Sequence, residues 1–324
     1  MSPFDAAIAA ASAASPIGGN AVPVPRRVLL VDGDGLAYYC AGNDDTDAGE
    51  ARANLISKVK SAQRACNAER VVILLTSSGS HKGHRYAIAR VKPYQGQRVN
   101  SRRPKNWQHL RECMEAGGTF PFDIQATAVA EADDLFGMWA YDQPENVVIC
   151  TQDKDMRMLP GMHLDWVTHR THKVACQDHD GVLTVFNSEF NDKQYGPKWF
   201  WLQMLHGDTA DNIPGLPKYV VDGKAKPCGE VTAGKFLADE QLPHLRVAEL
   251  YRSYYGDRWL VEMMEQACLL WMRREPVRWD DCMVEGHGPL DTFRRWHEFE
   301  QAYNEIKGRV DDADNINAKA LEGE

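Results

Sequence analysis

The chain has 324 residues, of which 44% are hydrophobic, and its formal net charge is −9 at pH 7. This length allows one large domain or two of ordinary size, and the acidic balance excludes a protein that attracts nucleic acid through its overall charge. The eight cysteines are scattered, with the closest pair 14 residues apart, which is typical of reduced thiols in a cytosol. No apolar run approaches the roughly 18 residues of a membrane span, so we expect a cytoplasmic protein.

The first 25 residues are rich in Ala, Ser and Pro and lack the basic start of a secretory signal, so residues 1–25 are expected to be a disordered leader. Three β-branched runs then end abruptly in polar residues: RVLLVDGD (27–34), RVVILLTSS (70–78) and NVVICTQDKD (146–155). Helical spacing marks the segments between them, at about 47–68, 102–117 and 129–142. This alternation predicts an α/β core over residues 26–195, with a central, mostly parallel sheet flanked by helices.

From about residue 196 the pattern becomes helical and stays so to about 309. The loop HGDTADNIPGLP interrupts it with the Pro and Gly of a turn, and KYVVDGKAKPC after it reads as a basic hairpin. Residues 310–324 are expected to form a flexible tail. The sequence therefore predicts a helical second region behind the α/β core.

Carboxylates follow the predicted strands. Asp32 and Asp34 come after the first, Asp153 and Asp155 come after the third, and the stretch EADD places three more at a helix start: Glu131, Asp133 and Asp134. Because ligands of open α/β sheets bind outside the carboxyl ends of the strands, we expect these seven side chains at one edge of the sheet.

So many like charges at one edge need an explanation. Two unit charges about 4 Å apart repel by about 4 kcal/mol at an effective dielectric near 20. Divalent cations would remove this repulsion, and an all-carboxylate set suits Mg²⁺ or Mn²⁺ better than zinc. Taken alone, each acidic pair is equally consistent with a helix N-cap or a solvated loop acid.

A basic segment separates the second strand from the acidic helix. Residues 71–111 contain no Asp or Glu, and nine Lys or Arg lie between Lys82 and Arg111. Such a segment in an acidic protein predicts contact with a polyanion, and Tyr86, Tyr94 or Trp107 could stack on an unpaired base. The other interpretation is a solvated basic face with ordinary aromatic packing. Candidate nucleic-acid contacts here are Lys82, Tyr94, Arg102, Arg103 and Lys105.

Five motifs taken in order resemble the flap endonuclease and 5′→3′ exonuclease superfamily over about residues 27–240: VDGD, PYQGQR, EADD, TQDKD and GDTADNIPG. The compact length is similar to that of the stand-alone exonucleases of short-tailed bacteriophages. The resemblance implies two Mg²⁺ or Mn²⁺ ions. It assigns one to Asp32, Glu131, Asp133 and Asp134, and the other to Asp153, Asp155, Asp208 and Asp211. Asp34 matches a position that is less regularly acidic.

The resemblance also implies a basic arch over about residues 81–111 and matches Arg98 to a catalytic arginine, and Arg85 or Lys92 is a further candidate to offset charge at the phosphate. It implies a helix–hairpin–helix-type element that grips duplex backbone through Gly215 and Lys235, with a monovalent cation as a further candidate ligand. Two positions depart from the family pattern. Ser77 stands where the family often has Asp, and Gln95 stands where many relatives have a catalytic Lys.

The implied function is a divalent-metal-dependent 5′→3′ exonuclease on double-stranded DNA that releases 5′-phosphate products by a two-metal mechanism. Flap cleavage and removal of RNA primers from RNA–DNA hybrids are included, in phage DNA replication in the host cytoplasm. Two alternatives stay open: a PIN-type ribonuclease, and a catalytically weakened DNA-binding protein of the same fold, which Ser77 and Gln95 favour. The balance of exonuclease and flap activity, the oligomeric state and replisome partners are left open by the sequence.

Overall fold

The computed structural model describes residues 22–100, 102–118, 120–165, 170–174, 184–186, 193–286 and 288–322. Most of the predicted leader lies outside these ranges. The chain forms two compact units. The first comprises Met1–Ser80, Arg102–Cys176 and Val185–Lys193, and the second comprises His81–Ser101, Gln177–Thr184 and Gln194–Glu324. The predicted basic arch is thereby divided, because its first part clusters with the second unit.

The described strands are β1 (Val24–Asp32), β2 (Ala68–Thr76), β3 (Asp123–Thr127), β4 (Val147–Cys150), β5 (Gly161–Leu164), β6 (Thr171–Val174), β7 (Thr184–Phe186), β8 (Lys193–Tyr195), β9 (Lys218–Val221) and β10 (Lys224–Pro227). The described α-helices are α1 (Gly33–Cys40), α2 (Ala48–Cys66), α3 (Arg85–Ile88), α4 (Trp107–Glu115), α5 (Ala132–Asp142), α6 (Lys198–His206), α7 (Glu230–Leu237), α8 (Pro243–Tyr255), α9 (Trp259–Leu270) and α10 (Phe299–Glu322).

The first unit is built on a six-stranded sheet with the order β3-β2-β1-β4-β5-β6. Strands β1 to β5 pair in parallel and β6 pairs antiparallel with β5, which confirms the predicted mostly parallel sheet. In this order the chain moves outward from β1 through β2 and β3 and then returns to β4 on the other side of β1. The topological switch point, where α/β sheets bind ligands, therefore lies between β1 and β4.

Helix α2 shows how local sequence builds this unit. Asp47 caps its start by accepting a hydrogen bond from the Glu50 amide (2.8 Å), and Asn67 ends it in a left-handed conformation. The main-chain oxygen of Asn67 then accepts a hydrogen bond from the Val24 amide at 2.8 Å, which ties the helix end to β1. The helix buries one apolar face against the sheet: Ala51, Leu55, Val59, Ala62 and Cys66.

In the second unit, α9 is buried on nearly every side, with only Glu262 partly exposed. Its partners include α8, α10 and α6, and α6 contributes the fully buried rings of Trp199 and Trp201. Strands β9 and β10 form an antiparallel hairpin that turns at Asp222 and Gly223, both at positive φ, which confirms the predicted hairpin.

The C-terminal helix differs from the sequence-based expectation. Helix α10 continues to Glu322, where a flexible tail from residue 310 is predicted. Its apolar face does end near Val310, and the residues described after it are mostly exposed. Because each added residue costs little once a helix has begun, α10 propagates beyond the last residue that packs on the core.

Among the described residues, none of the helices combines the length and apolar character that a membrane crossing needs. The seven cysteines in the described part of the chain are free thiols.

A buried histidine makes the first unit sensitive to acid. His163 on β5 donates a hydrogen bond from Nε2 to the Leu159 carbonyl oxygen (3.0 Å), and burial lowers the pKa of His163 to about 4. The pKa of this histidine is near 6.5 in the unfolded chain and about 4 in the folded chain, so its contribution to stability is fully present above pH 6.5. We expect it to be lost as pH falls toward 4, by about 3 kcal/mol in total.

Urea unfolding at pH 7.5 and pH 5 checks this expectation. His163→Gln should reduce the difference between the two midpoints, whereas His297→Gln, at a side chain that is 91% exposed, should leave it unchanged. An equal pH response in the parent and both variants would contradict the prediction.

Candidate active site

Asp32 lies at the switch point of the sheet. It ends β1 and caps α1, where its carboxylate accepts a hydrogen bond from the Gly35 amide at 2.8 Å. The Thr151 hydroxyl, just past β4, donates to the other carboxylate oxygen at 3.0 Å and so joins the two strand ends. Loss of contact with water raises the pKa of Asp32, against the hydrogen bonds from Gly35 and Thr151, which favour the charged form.

The loop after β4 is held by a short series of hydrogen bonds. The Asp153 amide donates to the Thr151 hydroxyl (3.0 Å), and the Asp155 amide donates to the Asp153 carboxylate (2.9 Å). Asp153 is exposed and Asp155 is buried. Both predicted ligands after β4 therefore lie on a loop that Thr151 joins to Asp32 at the carboxyl edge of the sheet.

The acidic start of α5 is fixed to the end of β2. The Ala132 amide donates to the Thr76 hydroxyl (2.9 Å), and the Ser80 hydroxyl donates to the Ala130 carbonyl oxygen (2.7 Å). The Asp134 carboxylate accepts a hydrogen bond from the Glu131 amide at 3.1 Å in a capping-box arrangement. Glu131 and Asp134 are buried, and Asp133 between them is partly exposed.

Helix capping explains part of this crowding of like charges. A carboxylate near a helix N-terminus is stabilised by the helix dipole and by unpaired amides of the first turn. Asp134 therefore has a structural role as well as the metal-ligand role predicted for it. The N-cap residue is Glu131 and Asp134 is its partner in the capping box, so helix capping and the metal-ligand prediction are compatible for this pair.

Asp34 is neutralised by a protein side chain. Its carboxylate forms an ion pair with the buried guanidinium of Arg111 and accepts a hydrogen bond from the Thr76 amide at 3.2 Å. Arg111 also bonds Glu115 at 3.1 Å, one helical turn away. This pairing agrees with the lower rank that the family resemblance gives Asp34 as a metal ligand. Sequence reasoning missed Arg111 as its partner, because it counts Arg111 only as one cation of the basic segment.

The acids of the first unit are neighbours and do not form a closed cage. In the part of this unit that the structure describes, no three carboxylates bring oxygens within 4.8 Å of one another. Carboxylate oxygens are nonetheless the donors that Mg²⁺ and Mn²⁺ prefer, and Mg²⁺ usually keeps several waters in its shell. The residues present therefore fit a partly hydrated hard cation.

The second unit carries its own acid pair in the loop after α6. Asp208 is fixed by two main-chain hydrogen bonds with Ile213, at 2.8 and 2.7 Å, and its carboxylate accepts one from the Ala210 amide at 2.9 Å. A carboxylate oxygen of Asp208 lies within 4.8 Å of one of Asp211. Both residues are buried.

Residues 94–98 of the basic segment contact Asp211 within the second unit. The Tyr94 hydroxyl donates to the Asp211 carboxylate at 2.9 Å, and the side-chain nitrogen of Gln95 donates to the same carboxylate at 3.0 Å. The Arg98 guanidinium forms an ion pair with the same carboxylate and donates to the Ala210 carbonyl oxygen at 3.1 Å. Asp211 therefore anchors the segment that carries the PYQGQR motif.

This placement corrects the role of Tyr94. Its ring is buried and its hydroxyl is engaged by Asp211, so it cannot stack on a base as predicted. Tyr86, which meets the Tyr94 ring edge-on at 5.6 Å, is 53% exposed and is the better candidate for stacking.

Two further predicted residues are occupied inside the protein. Arg85 is 1% exposed and donates to the carbonyl oxygens of Leu269 and Trp271, each at 3.1 Å, so it supports the end of α9 and is not placed to contact a phosphate. Gly215 is buried, and its amide donates to the Gln266 side chain at 3.0 Å. Its φ of +61° and the adjacent Gly207 backbone explain the glycine without a DNA contact.

The remaining predicted cations lie on the surface. Arg102 pairs with Asp44 at 3.0 Å, and Lys105 donates to the Asp44 carbonyl oxygen at 3.1 Å. The Arg103 guanidinium lies over the Trp107 ring, 4.1 Å from its centroid. Lys92 and Lys235 are exposed, and Lys82 is partly buried.

Comparison with known proteins adds independent information. No family model matches the chain. It is 36% identical over 94 residues to the 5′-3′ exonuclease of Buchnera aphidicola subsp. Acyrthosiphon pisum, covering 27% of this chain and 29% of that protein. It is 26% identical over 208 residues to the 5′-3′ exonuclease of Buchnera aphidicola subsp. Schizaphis graminum, covering 60% and 66%. The matches thus span less than two thirds of either relative.

Among solved structures, a flap endonuclease of bacteriophage T5 in a complex with DNA and metal ions has a TM-score of 0.50 and 16% identity. The match covers 88% of this chain and 99% of that chain, which shows a shared fold. In sequence and in fold, the chain thus resembles the flap endonuclease and 5′→3′ exonuclease superfamily, as its motif order predicts.

Proposed function

We propose that the protein is a divalent-metal-dependent nuclease that removes nucleotides from the 5′ ends of double-stranded DNA and cleaves 5′ flaps. The observation that carries the proposal is the meeting of Asp32 and the Thr151–Asp155 loop at the switch point of the sheet, with the acidic start of α5 on the same edge. The curated relatives named 5′-3′ exonuclease support the same reaction.

The candidate metal ligands divide between the two units. The first unit offers Asp32, Glu131, Asp133, Asp134, Asp153 and Asp155, and the second offers Asp208 and Asp211. When bound, Mg²⁺ or Mn²⁺ ions supply an activated water and neutralise charge on the departing oxygen. The hydrogen bonds from Gly35 and Thr151 orient the carboxylate of Asp32, and the one from the Ala210 amide orients that of Asp208.

Exposed cations provide the nucleic-acid contacts in this proposal. Lys92, Arg102, Arg103 and Lys105 lie on the surface of the basic segment, and Lys235 lies on α7. Cationic side chains of this kind hold phosphates without reading base sequence. The T5 complex with DNA and metal ions makes these two ligand classes the first to test. An RNA–DNA hybrid is a further candidate substrate, and a monovalent cation near Gly215 is a further candidate ligand. The proposed biological setting is phage DNA replication.

The test is release of label from a 5′-labelled blunt duplex and from a 5′ flap, in Mg²⁺ and in EDTA. We expect nucleotide release only with metal, and the product lengths distinguish exonuclease from flap cleavage. Without DNA, Mg²⁺ should also raise the unfolding temperature, because an ion at about 100 times its Kd stabilises the folded state by about 2.7 kcal/mol.

Two outcomes would replace this proposal. Tight duplex binding without cleavage in Mg²⁺ or Mn²⁺ would favour the DNA-binding alternative, for which Gln95 is the structural argument, since its side chain is already engaged by Asp211. Cleavage of single-stranded RNA in preference to DNA would favour the PIN-type ribonuclease.

A further inference from the structure

An unusual backbone segment opens the part of the second unit that precedes α3. Lys82, Gly83 and His84 have φ values of +51°, +60° and +65°, so three consecutive residues adopt the left-handed conformation. Two of them are not glycine, for which this conformation is unfavourable. Backbone strain of this kind persists only where surrounding contacts hold it, and it is frequent at functional sites.

Contacts on several sides hold this segment in place. The Arg273 guanidinium donates to the Gly83 carbonyl oxygen at 2.7 Å and occupies the space that a side chain at position 83 would need. His84 contacts the Asp314 carboxylate through Nε2 at 2.8 Å. Arg85 donates to the Lys82 carbonyl oxygen at 3.4 Å. The direction in which the Lys82 side chain leaves the backbone is therefore fixed by the fold.

The Lys82 side chain bonds Gln95, which in turn bonds Asp211. Its ammonium donates to the Gln95 side-chain oxygen at 2.6 Å, and the amide nitrogen of the same side chain donates to the Asp211 carboxylate at 3.0 Å. The two partners fix the orientation of the Gln95 amide, with its oxygen toward the cation and its nitrogen toward the anion. One amide group thus separates an ammonium from the Asp208 and Asp211 carboxylate pair.

We propose that Lys82 is the cation that contacts a DNA phosphate beside the Asp208 and Asp211 pair, and that Gln95 is the residue that positions it. The inference rests on the proposed nuclease function. Of the other cations predicted to be catalytic, Arg98 pairs with Asp211 itself and Arg85 is buried against main-chain oxygens. Lys82 is only partly buried, and its ammonium can exchange the Gln95 oxygen for a phosphate oxygen.

Kinetics of three variants test the contact. Under saturating duplex and Mg²⁺, Lys82→Met should lower kcat by roughly 100-fold, the effect of removing one charged donor from a developing anion. Lys82→Arg should recover most of this loss, because it keeps the charge. The matched control is Lys307→Met, since Lys307 lies in the same unit on α10 and pairs only with nearby Asp311 among the contacts described; its kcat should stay within about twofold of the parent value.

A second measurement does not depend on cleavage. In EDTA, the slope of log affinity for duplex DNA against log salt concentration should become shallower by about 0.9 in Lys82→Met, which corresponds to one lost phosphate contact. Gln95→Leu should lower kcat with less change in this slope, because it misplaces the ammonium without removing it. If Lys82→Met fails to fold, Lys82→Gln provides the uncharged variant.

The outcomes separate this inference from the proposed function. Parent-like kcat and salt slope in Lys82→Met would overturn the inference while the nuclease proposal stands. A parent protein that does not cleave DNA, combined with a shallower slope in Lys82→Met, would overturn the nuclease proposal and retain Lys82 as a phosphate contact.

Discussion

Asp153→Asn/Asp155→Asn should lower metal-dependent cleavage of DNA by roughly 100-fold or more, while duplex affinity in EDTA stays within a few-fold of the parent value. The Asn oxygen at position 153 can still accept the hydrogen bond from the amide of residue 155, so the loop after β4 keeps its shape. The change removes two negative charges at the sheet edge and with them the attraction for a divalent ion. Rates of 5′ label release at several Mg²⁺ concentrations measure the effect.

A second double variant controls for the loss of charge. Asp311→Asn/Asp312→Asn removes two exposed acids from α10, far along the chain from any motif, and should leave cleavage unchanged. Equal rates for both double variants would show that the loop after β4 does not hold the metal. Unfolding curves measured with and without Mg²⁺ should give the same conclusion: Mg²⁺ should stabilise the parent and the control variant more than it stabilises Asp153→Asn/Asp155→Asn.

Glu265→Ala should cause the largest loss of stability, about 3–5 kcal/mol. Glu265 is 1% exposed, and it pairs with the buried Arg309 guanidinium at 2.6 Å. Its other oxygen accepts hydrogen bonds from the amides of Arg90 and Val91, each at 2.9 Å. Removal of this carboxylate takes one of two carboxylate partners from the buried Arg309 guanidinium and leaves the Arg90 and Val91 amides without this acceptor.

Urea unfolding followed by tryptophan fluorescence tests this prediction. Glu249→Ala is the matched control, because Glu249 is 68% exposed and its pair with Arg246 is a surface contact worth less than about 1 kcal/mol. Adding Arg309→Leu to Glu265→Ala should recover part of the loss, since the buried charge that has lost one of its two carboxylate partners is then gone. Similar losses in Glu265→Ala and Glu249→Ala would contradict this account of the second unit.

Strands β1, β2 and β4 could be predicted because each is buried on both faces and therefore appears as an unbroken apolar run. Strand β3, with the sequence DIQAT, could not, because it lies at an edge of the sheet and is polar at several positions. Helix α10 passes its predicted end for a related reason. Apolar periodicity records where a helix packs, and α10 continues after packing has ended.

The position of the acids could also be predicted, since strand ends and the switch point follow from the order of elements. Their partners could not. The basic segment shows nine cations but not that Arg111 pairs with Asp34 or that Arg85 is buried at the end of α9. Those contacts join residues far apart in the chain, and a local pattern holds no information about them. Likewise, Tyr94 is recognisable as an aromatic residue but not as a hydrogen-bond donor to Asp211.

Residues 81–101 belong to the second unit but are translated long before most of it, which affects folding on the ribosome. Arg85 bonds a carbonyl oxygen 184 residues further along, and the Ile88 carbonyl oxygen accepts a hydrogen bond from Arg309, 221 residues later. At roughly 5–20 residues per second, the nascent segment waits tens of seconds for these partners. The sheet of the first unit can close once β6 has emerged, whereas the second unit needs nearly the whole chain. A message truncated before α10 would therefore yield a folded sheet joined to an incomplete second unit. Chaperones would bind this incompletely folded chain.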